Sequence, residues 1–121
     1  TSEQLHLVAA ECLIRTQKIK EGLDLVNTVR HFRVENCQPL EADSEHEAMA
    51  LLQRVKFVEQ FDTPFNFFDR KRWNTEPDYR ADVTHRLGSM GTFTLKPESP
   101  LWIMPFPVNT VRYNPTLTQN Y

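Results

Sequence analysis

The sequence predicts a mainly α-helical chain: a helical hairpin, a third helix, a small two-stranded β element and an extended C-terminal tail. Three observations predict it. Stretches before residue 64 repeat apolar residues at helical spacing. Two of them open on capping boxes, which satisfy free N–H groups at a helix start. Seven of the eight prolines lie from Pro64 onwards, where their missing N–H and fixed φ work against long helices. The 121 residues read as a single domain, helical over 1–63, with an aromatic turn, short strands and a tail over 64–121.

Helix one is expected over residues 3–16. Leu5, Val8, Ala9, Cys12 and Leu13 follow the i, i+3, i+4, i+7, i+8 spacing of one buried face, and Thr1 with Gln4 fits a capping box. Helix two is expected over 19–35. Ile19, Leu23 and Val26 share a face, and Leu25, Val29 and Phe32 form an adjoining stripe. Gly22 weakens this helix by up to about 1 kcal/mol relative to Ala, or lets the first helix approach closely. The join at Gln17-Lys18 is short, so the two helices are expected to be antiparallel neighbours.

Residues 36–43 read as a loop through Pro39. Ser44 and Glu47 make the second capping box, and Ala48, Leu51, Leu52, Val55 and Val58 mark the core face of helix three. Pro64 disfavours helix at Thr63, so helix three ends about there. Phe65 to Trp73 reads as a short aromatic helix or turn, and 74–91 as irregular chain. Phe93 and Leu95 alternate with Thr92 and Thr94 as in a half-buried strand. The apolar run Leu101 to Met104 is its expected partner, which places the β element near residues 92–104. Residues 109–121 read as a tail on a surface. Such a tail cannot satisfy its backbone by regular ladders, so Leu117 and Tyr121 are expected to pack on the helices, and Asn114 and Asn120 to bond backbone groups there.

Composition narrows the function classes. A net charge of -2 lacks the basic excess of a nucleic-acid binder, and Arg70-Lys71-Arg72 reads as a solvated or ion-paired helix end. No apolar run approaches the roughly 20 residues that span a bilayer. Thr1 to Gln4 has neither the basic nor the apolar region of a secretory signal. The chain therefore reads as soluble, either as it stands or as a processed piece. Cys12 and Cys37 cannot make a disulfide framework, and Cys12 reads as a small hydrophobe in a helix face.

Chemistry-bearing patterns are sparse. The histidines are His6, His31, His46 and His85, and the helical zinc motif that His46 begins has Ala50 where its second histidine belongs. Gly88 and Gly91 have no P-loop lysine in register. Ser2, Ser44, Ser89 and Ser99 sit in caps or turns without an elbow motif. No metal, cofactor or catalytic group is expected. The aromatic crowd of Phe65, Phe67, Phe68, Trp73 and Tyr79 reads as core that pins a loop, or as a stacking platform for a sugar ring. In the second reading the ligand-binding candidates are Trp73 and Tyr79, with Asn74 as polar partner.

Two motifs carry a resemblance. Phe67-Phe68-Asp69-Arg70-Lys71-Arg72-Trp73 resembles the FFDLKRW motif of the SusD/RagB family. Leu101-Trp102-Ile103-Met104-Pro105-Phe106-Pro107, followed by Asn114-Pro115-Thr116-Leu117-Thr118-Gln119-Asn120-Tyr121, resembles that family's closing motif in order and spacing. The stretch from Ala9 to Leu13 and from Asp24 to Arg30 is similar to its TPR-like helix pair. The likeness covers nearly all of this chain and only the last part of family members, which are several times longer. Thr63-Pro64-Phe65-Asn66 departs from the Glu-Gly-x-Arg that many members carry there, while Glu59 matches a preceding glutamate.

The resemblance implies a lipid-anchored protein on the cell-surface side of the outer membrane. It implies a SusC-type TonB-dependent transporter as partner and a glycan, or in some members a peptide, as ligand. The lipid-bearing cysteine lies far upstream in that family, so neither Cys12 nor Cys37 corresponds to it. Most ligand contacts come from loops outside this segment, and no enzymatic activity is implied. The alternative from the helices alone is a free-standing TPR-like module that holds a partner segment on its concave face; a hydrolase ranks third.

Overall fold

The first helix starts where the capping box places it. In the computed structural model, which describes residues 1–119, α1 spans Ser2–Arg15. The Gln4 backbone amide donates to Thr1 Oγ1 at 3.4 Å, and the backbone nitrogen of Thr1 donates to Gln4 Oε1 at 3.0 Å. The helix ends in a Schellman arrangement. Lys18 N donates to Leu13 O at 2.9 Å and Gln17 N to Ile14 O at 3.0 Å, with Gln17 in the left-handed region at φ 66°. This turn reverses the chain into α2 (Ile19–His31), which packs against α1.

The pair approaches closely at Gly22, the second of the two roles open to this small residue. A Cβ there would lie 2.7 Å from Ile14 Cγ1 and 2.9 Å from the Ala10 carbonyl oxygen. Around this contact α1 buries Leu7, Ala10, Glu11 and Ile14. That corrects the expected face: Leu5 is 72% exposed, Val8, Ala9 and Cys12 are exposed, and Leu13 is half-buried. Apolar side chains surround most of α1, so periodicity alone permits several faces. The backbone approach at Gly22 selects the one holding Ala10 and Ile14. On α2 the expected Leu23, Val26 and Val29 are buried, whereas Phe32 is 79% exposed.

The second helix stops four residues short of the expected end. Residues 32–36 form turns, with Asn36 at φ 54°. The following loop is tied back to α2 by a side-chain amide. Asn27 Nδ2 donates to Leu40 O at 3.0 Å, and Leu40 N donates to Asn27 Oδ1 at 2.8 Å. Ser44 then caps α3 (Glu45–Glu59), accepting from Glu47 N at 3.2 Å. The Glu47 carboxylate accepts instead from Asp43 N at 3.2 Å, so the box is half closed. The core face of α3 is Ala48, Met49, Leu52 and Lys56, not the stripe through Leu51, Val55 and Val58. Asn66 Nδ2 donates to the carbonyls of Phe57 and Gln60 at 3.0 and 3.1 Å, which sets the corner into α4 (Pro64–Trp73).

The chain divides into two compact units, Thr1–Asp69 and Arg70–Tyr121, with the boundary inside α4. The second unit holds an antiparallel hairpin of β1 (Val83–Arg86) and β2 (Thr92–Leu95), pairing Val83 with Leu95 and Arg86 with Thr92. The strand at 92–95 is the one expected, and its partner is not. Leu101–Met104 does not pair with it; Pro100–Trp102 is a single 3₁₀ turn that buries Trp102. Gly88 at φ 57° and Gly91 at φ 105° let a five-residue connection close the hairpin locally, so no distant strand is needed. The strand is also less buried than a half-buried one, since Thr92, Phe93 and Thr94 are exposed and only Leu95 is half-buried.

Part of the tail is helical: α5 spans Val108–Tyr113. Gln119 then repeats the device of Asn27. Phe106 N donates to Gln119 Oε1 at 2.9 Å, and Gln119 Nε2 donates to Phe106 O at 3.1 Å. Leu117 is half-buried. Asn114 accepts from the Thr116 amide and hydroxyl at 3.3 and 2.7 Å and so closes its own turn, rather than bonding a helix backbone as expected. The expectations for Asn120 and Tyr121 lie outside the described residues.

Two outcomes follow from this packing. Gly22→Ala gains helix propensity but forces Ile14 and the Ala10 backbone to move. It is expected to lower stability by about 1–2 kcal/mol net, read from a urea midpoint. Gln119→Ala removes both bonds to Phe106, and hydrogen exchange at the Phe106 amide should accelerate about tenfold, matching a loss of about 1.4 kcal/mol.

Candidate functional site

The sequence-predicted ligand residues all lie in the second unit, and the structure uses them internally. Trp73 is 2% exposed, which leaves almost no ring surface for stacking. The guanidinium of Arg72 lies 5.3 Å from its ring centroid and that of Arg70 6.0 Å. Burial pushes Arg70 below the ordinary guanidinium value. Asn74 is half-buried. With its amide turned to satisfy both neighbours, it donates to Arg70 O at 3.2 Å and accepts from Trp102 Nε1 at 3.3 Å. Trp102 Nε1 also donates to Lys96 O at 2.8 Å. Tyr79 is half-buried, and its amide donates to Glu76 O at 3.0 Å.

The first unit holds a feature the periodicity reading missed. The ammonium of Lys56, 2% exposed, lies 3.1 Å from Glu11 Oε2 and 3.0 Å from Asp69 Oδ2. Glu11 in turn accepts from Arg15 Nε at 3.0 Å. One cation thus joins α1, α3 and α4 through three side chains that are 2%, 7% and 16% exposed. The signal was available. Glu11 lies on the stripe of Leu7, Ala10 and Ile14, and Lys56 on the stripe of Met49 and Leu52. A charged residue on each of two apolar stripes is what a buried pair requires.

The same unit contains a cleft of about 410 Å³ between α2, α3 and the intervening loop. Val29, Val34, Leu40, Leu51, Val55 and Val58 line it, and Arg30, Arg33, Arg54 and Glu59 complete its wall. Leu40 is held there by Asn27. Arg30 Nη1 bonds Gln38 O at 2.8 Å and Asn27 Oδ1 at 3.2 Å. Arg33 grips Glu59 through two nitrogens, at 3.0 and 2.6 Å, and reaches Glu3 at 3.1 Å. The Glu59 carboxylate holds Arg33 above the ordinary guanidinium value. Arg54 is exposed and has no ion pair among the described residues.

Among the described residues, no three His, Cys, Asp or Glu side chains are grouped to hold a metal ion, and no helix is long and apolar enough to cross a membrane. Cys12, exposed, and Cys37, half-buried, are both free thiols. Comparison with protein-family models, with curated proteins and with solved structures finds no match to this chain.

The buried ion cluster gives a direct test. Lys56→Met removes the cation that lies between two largely buried carboxylates and is expected to cost about 3–5 kcal/mol, read from chemical denaturation. Lys56→Met combined with Glu11→Leu and Asp69→Leu should recover most of that loss, since the cost lies in burying carboxylates that have lost this cation.

Proposed function

We propose that this chain is the C-terminal part of a SusD/RagB-type nutrient-binding protein. In this reading it serves at the outer membrane, cell-surface side, as the lid of a SusC-type TonB-dependent transporter, and the ligand is a glycan. One observation carries the reading: the two family-like motifs, Phe67 to Trp73 and Leu101 to Tyr121, occur in the family's order and spacing. A structural observation supports treating the second motif as a unit. Its Gln119 bonds both backbone groups of its Phe106, so its two halves depend on one another.

Capture and handover break no bond, so no enzymatic activity is proposed. The membrane link is a lipid anchor on an upstream cysteine, and this segment does not hold the main ligand site. The burial of Trp73 agrees with that division, because a ring 2% exposed cannot serve as a sugar platform. A stacked ring contributes roughly 0.5–1.5 kcal/mol, while even millimolar affinity needs about 4 kcal/mol.

Calorimetry with a panel of neutral oligosaccharides tests the assignment. This chain should bind more weakly than about 1 mM, and the longer protein should bind at least tenfold tighter. Equal affinity in both, lost on Trp73→Ala, would put the site in this segment. A full reading frame without an upstream lipobox and without a SusC-type gene beside it would remove the family reading itself.

A further inference from the structure

Leu51, Val55 and Val58 recur on α3 at the i, i+4, i+7 spacing of a helix seam. Their own unit leaves them open. Leu51 and Val55 are half-buried and Val58 is 69% exposed. They line the 410 Å³ cleft together with Val29, Val34 and Leu40.

We propose that this cleft is a docking groove for an amphipathic helix of a partner protein, with aliphatic residues along one face of that helix and carboxylates beside them. The inference does not depend on the nutrient-binding reading. Three features select the occupant. The six apolar side chains lining the cleft are all aliphatic, so it offers no ring for a sugar to stack on. Those side chains supply neither donors nor acceptors, so the ligand must arrive with its backbone already satisfied, as a helix does. The seam from Leu51 to Val58 covers about two helical turns, roughly 10 Å, the span of a pair of anchors on a facing helix.

Charge sets the polarity of the partner. The wall carries three arginines and one carboxylate, Glu59, which Arg33 already grips. Arg30 is engaged with Asn27 and Gln38, and Arg54 has no ion pair among the described residues. Over the cleft an incoming carboxylate gains Arg54 as its counter-charge, while Glu41, Asp43 and Glu47 line the adjoining hollow that Arg54 also borders and so keep the partner's carboxylates to the cleft.

Fluorescence anisotropy of the intact chain with designed peptides of about 18 residues, long enough to hold a helix alone, tests this. One peptide carries leucines on one face flanked by glutamates. A second has the same composition scrambled, and a third replaces the glutamates by lysines. The acidic helix should saturate in the micromolar range, and the other two should bind at least about tenfold more weakly. Arg54→Glu should reverse the order of the acidic and lysine peptides. Val58→Glu, at an exposed position, should leave the circular dichroism unchanged and remove binding. Failure of the acidic helix to saturate, equal binding of the scrambled peptide, or indifference to both substitutions would overturn the proposal. So would saturable decanoate binding, lost on Val58→Glu, in the absence of helix binding, since the cleft would then belong to an acyl carboxylate.

Discussion

The ammonium of Lys56 is the constraint on which the first unit depends. It sits between the carboxylates of Glu11 and Asp69 and joins three helices at one point. Apolar contacts in this unit are non-directional, and several rotations of α1 would bury a similar area. The ion cluster favours one of them, because any rotation that removes Glu11 from Lys56 costs the buried ammonium one of its two carboxylates. Gly22 acts in the same sense through sterics, by holding Ala10 and Ile14 against α2. The orientation of α1 is thus set by one electrostatic and one steric requirement, and its remaining apolar residues follow.

Much of the fold was legible because caps and breakers are local. Thr1, Ser44 and the Gln17 turn each act within a few residues, and the helices begin and end near them, whereas Pro64 opens α4 rather than closing α3, which ends at Glu59, four residues before the expected Thr63. Helix faces were less legible. The stripe Leu5, Val8, Cys12 on α1 and the stripe Leu51, Val55, Val58 on α3 satisfy helical periodicity as well as the stripes that are buried. Periodicity describes a helix and not its surroundings. The hairpin partner was missed because Val83–Arg86 contains one large aliphatic residue and two charged or titratable ones, and both strands are largely exposed. With no buried face, alternation carries no register information. The site residues were hardest to place. Trp73 is as compatible in sequence with a core ring as with an exposed one, and only its burial separates the two.

The same ambiguity has a second use. A stripe that reads as core yet remains open is where sequence pattern and self-contained packing disagree. In a chain whose other local features agree with its fold, such disagreement concentrates where something else binds. The cleft beside Leu51, Val55 and Val58 is one such place. Its wall is not a passive loop: Asn27, Arg30 and Arg33 each spend their polar groups on holding it.

Asn27 has a consequence for how this wall can change over generations. Its amide presents a donor and an acceptor side by side to the two backbone groups of Leu40. Only asparagine and glutamine carry that pair. No single-nucleotide change converts an asparagine codon into a glutamine codon. Every one-step missense replacement at this position therefore loses the donor, the acceptor or the reach. A one-step replacement releases Leu40 from α2, and the wall must then be held by its other contacts.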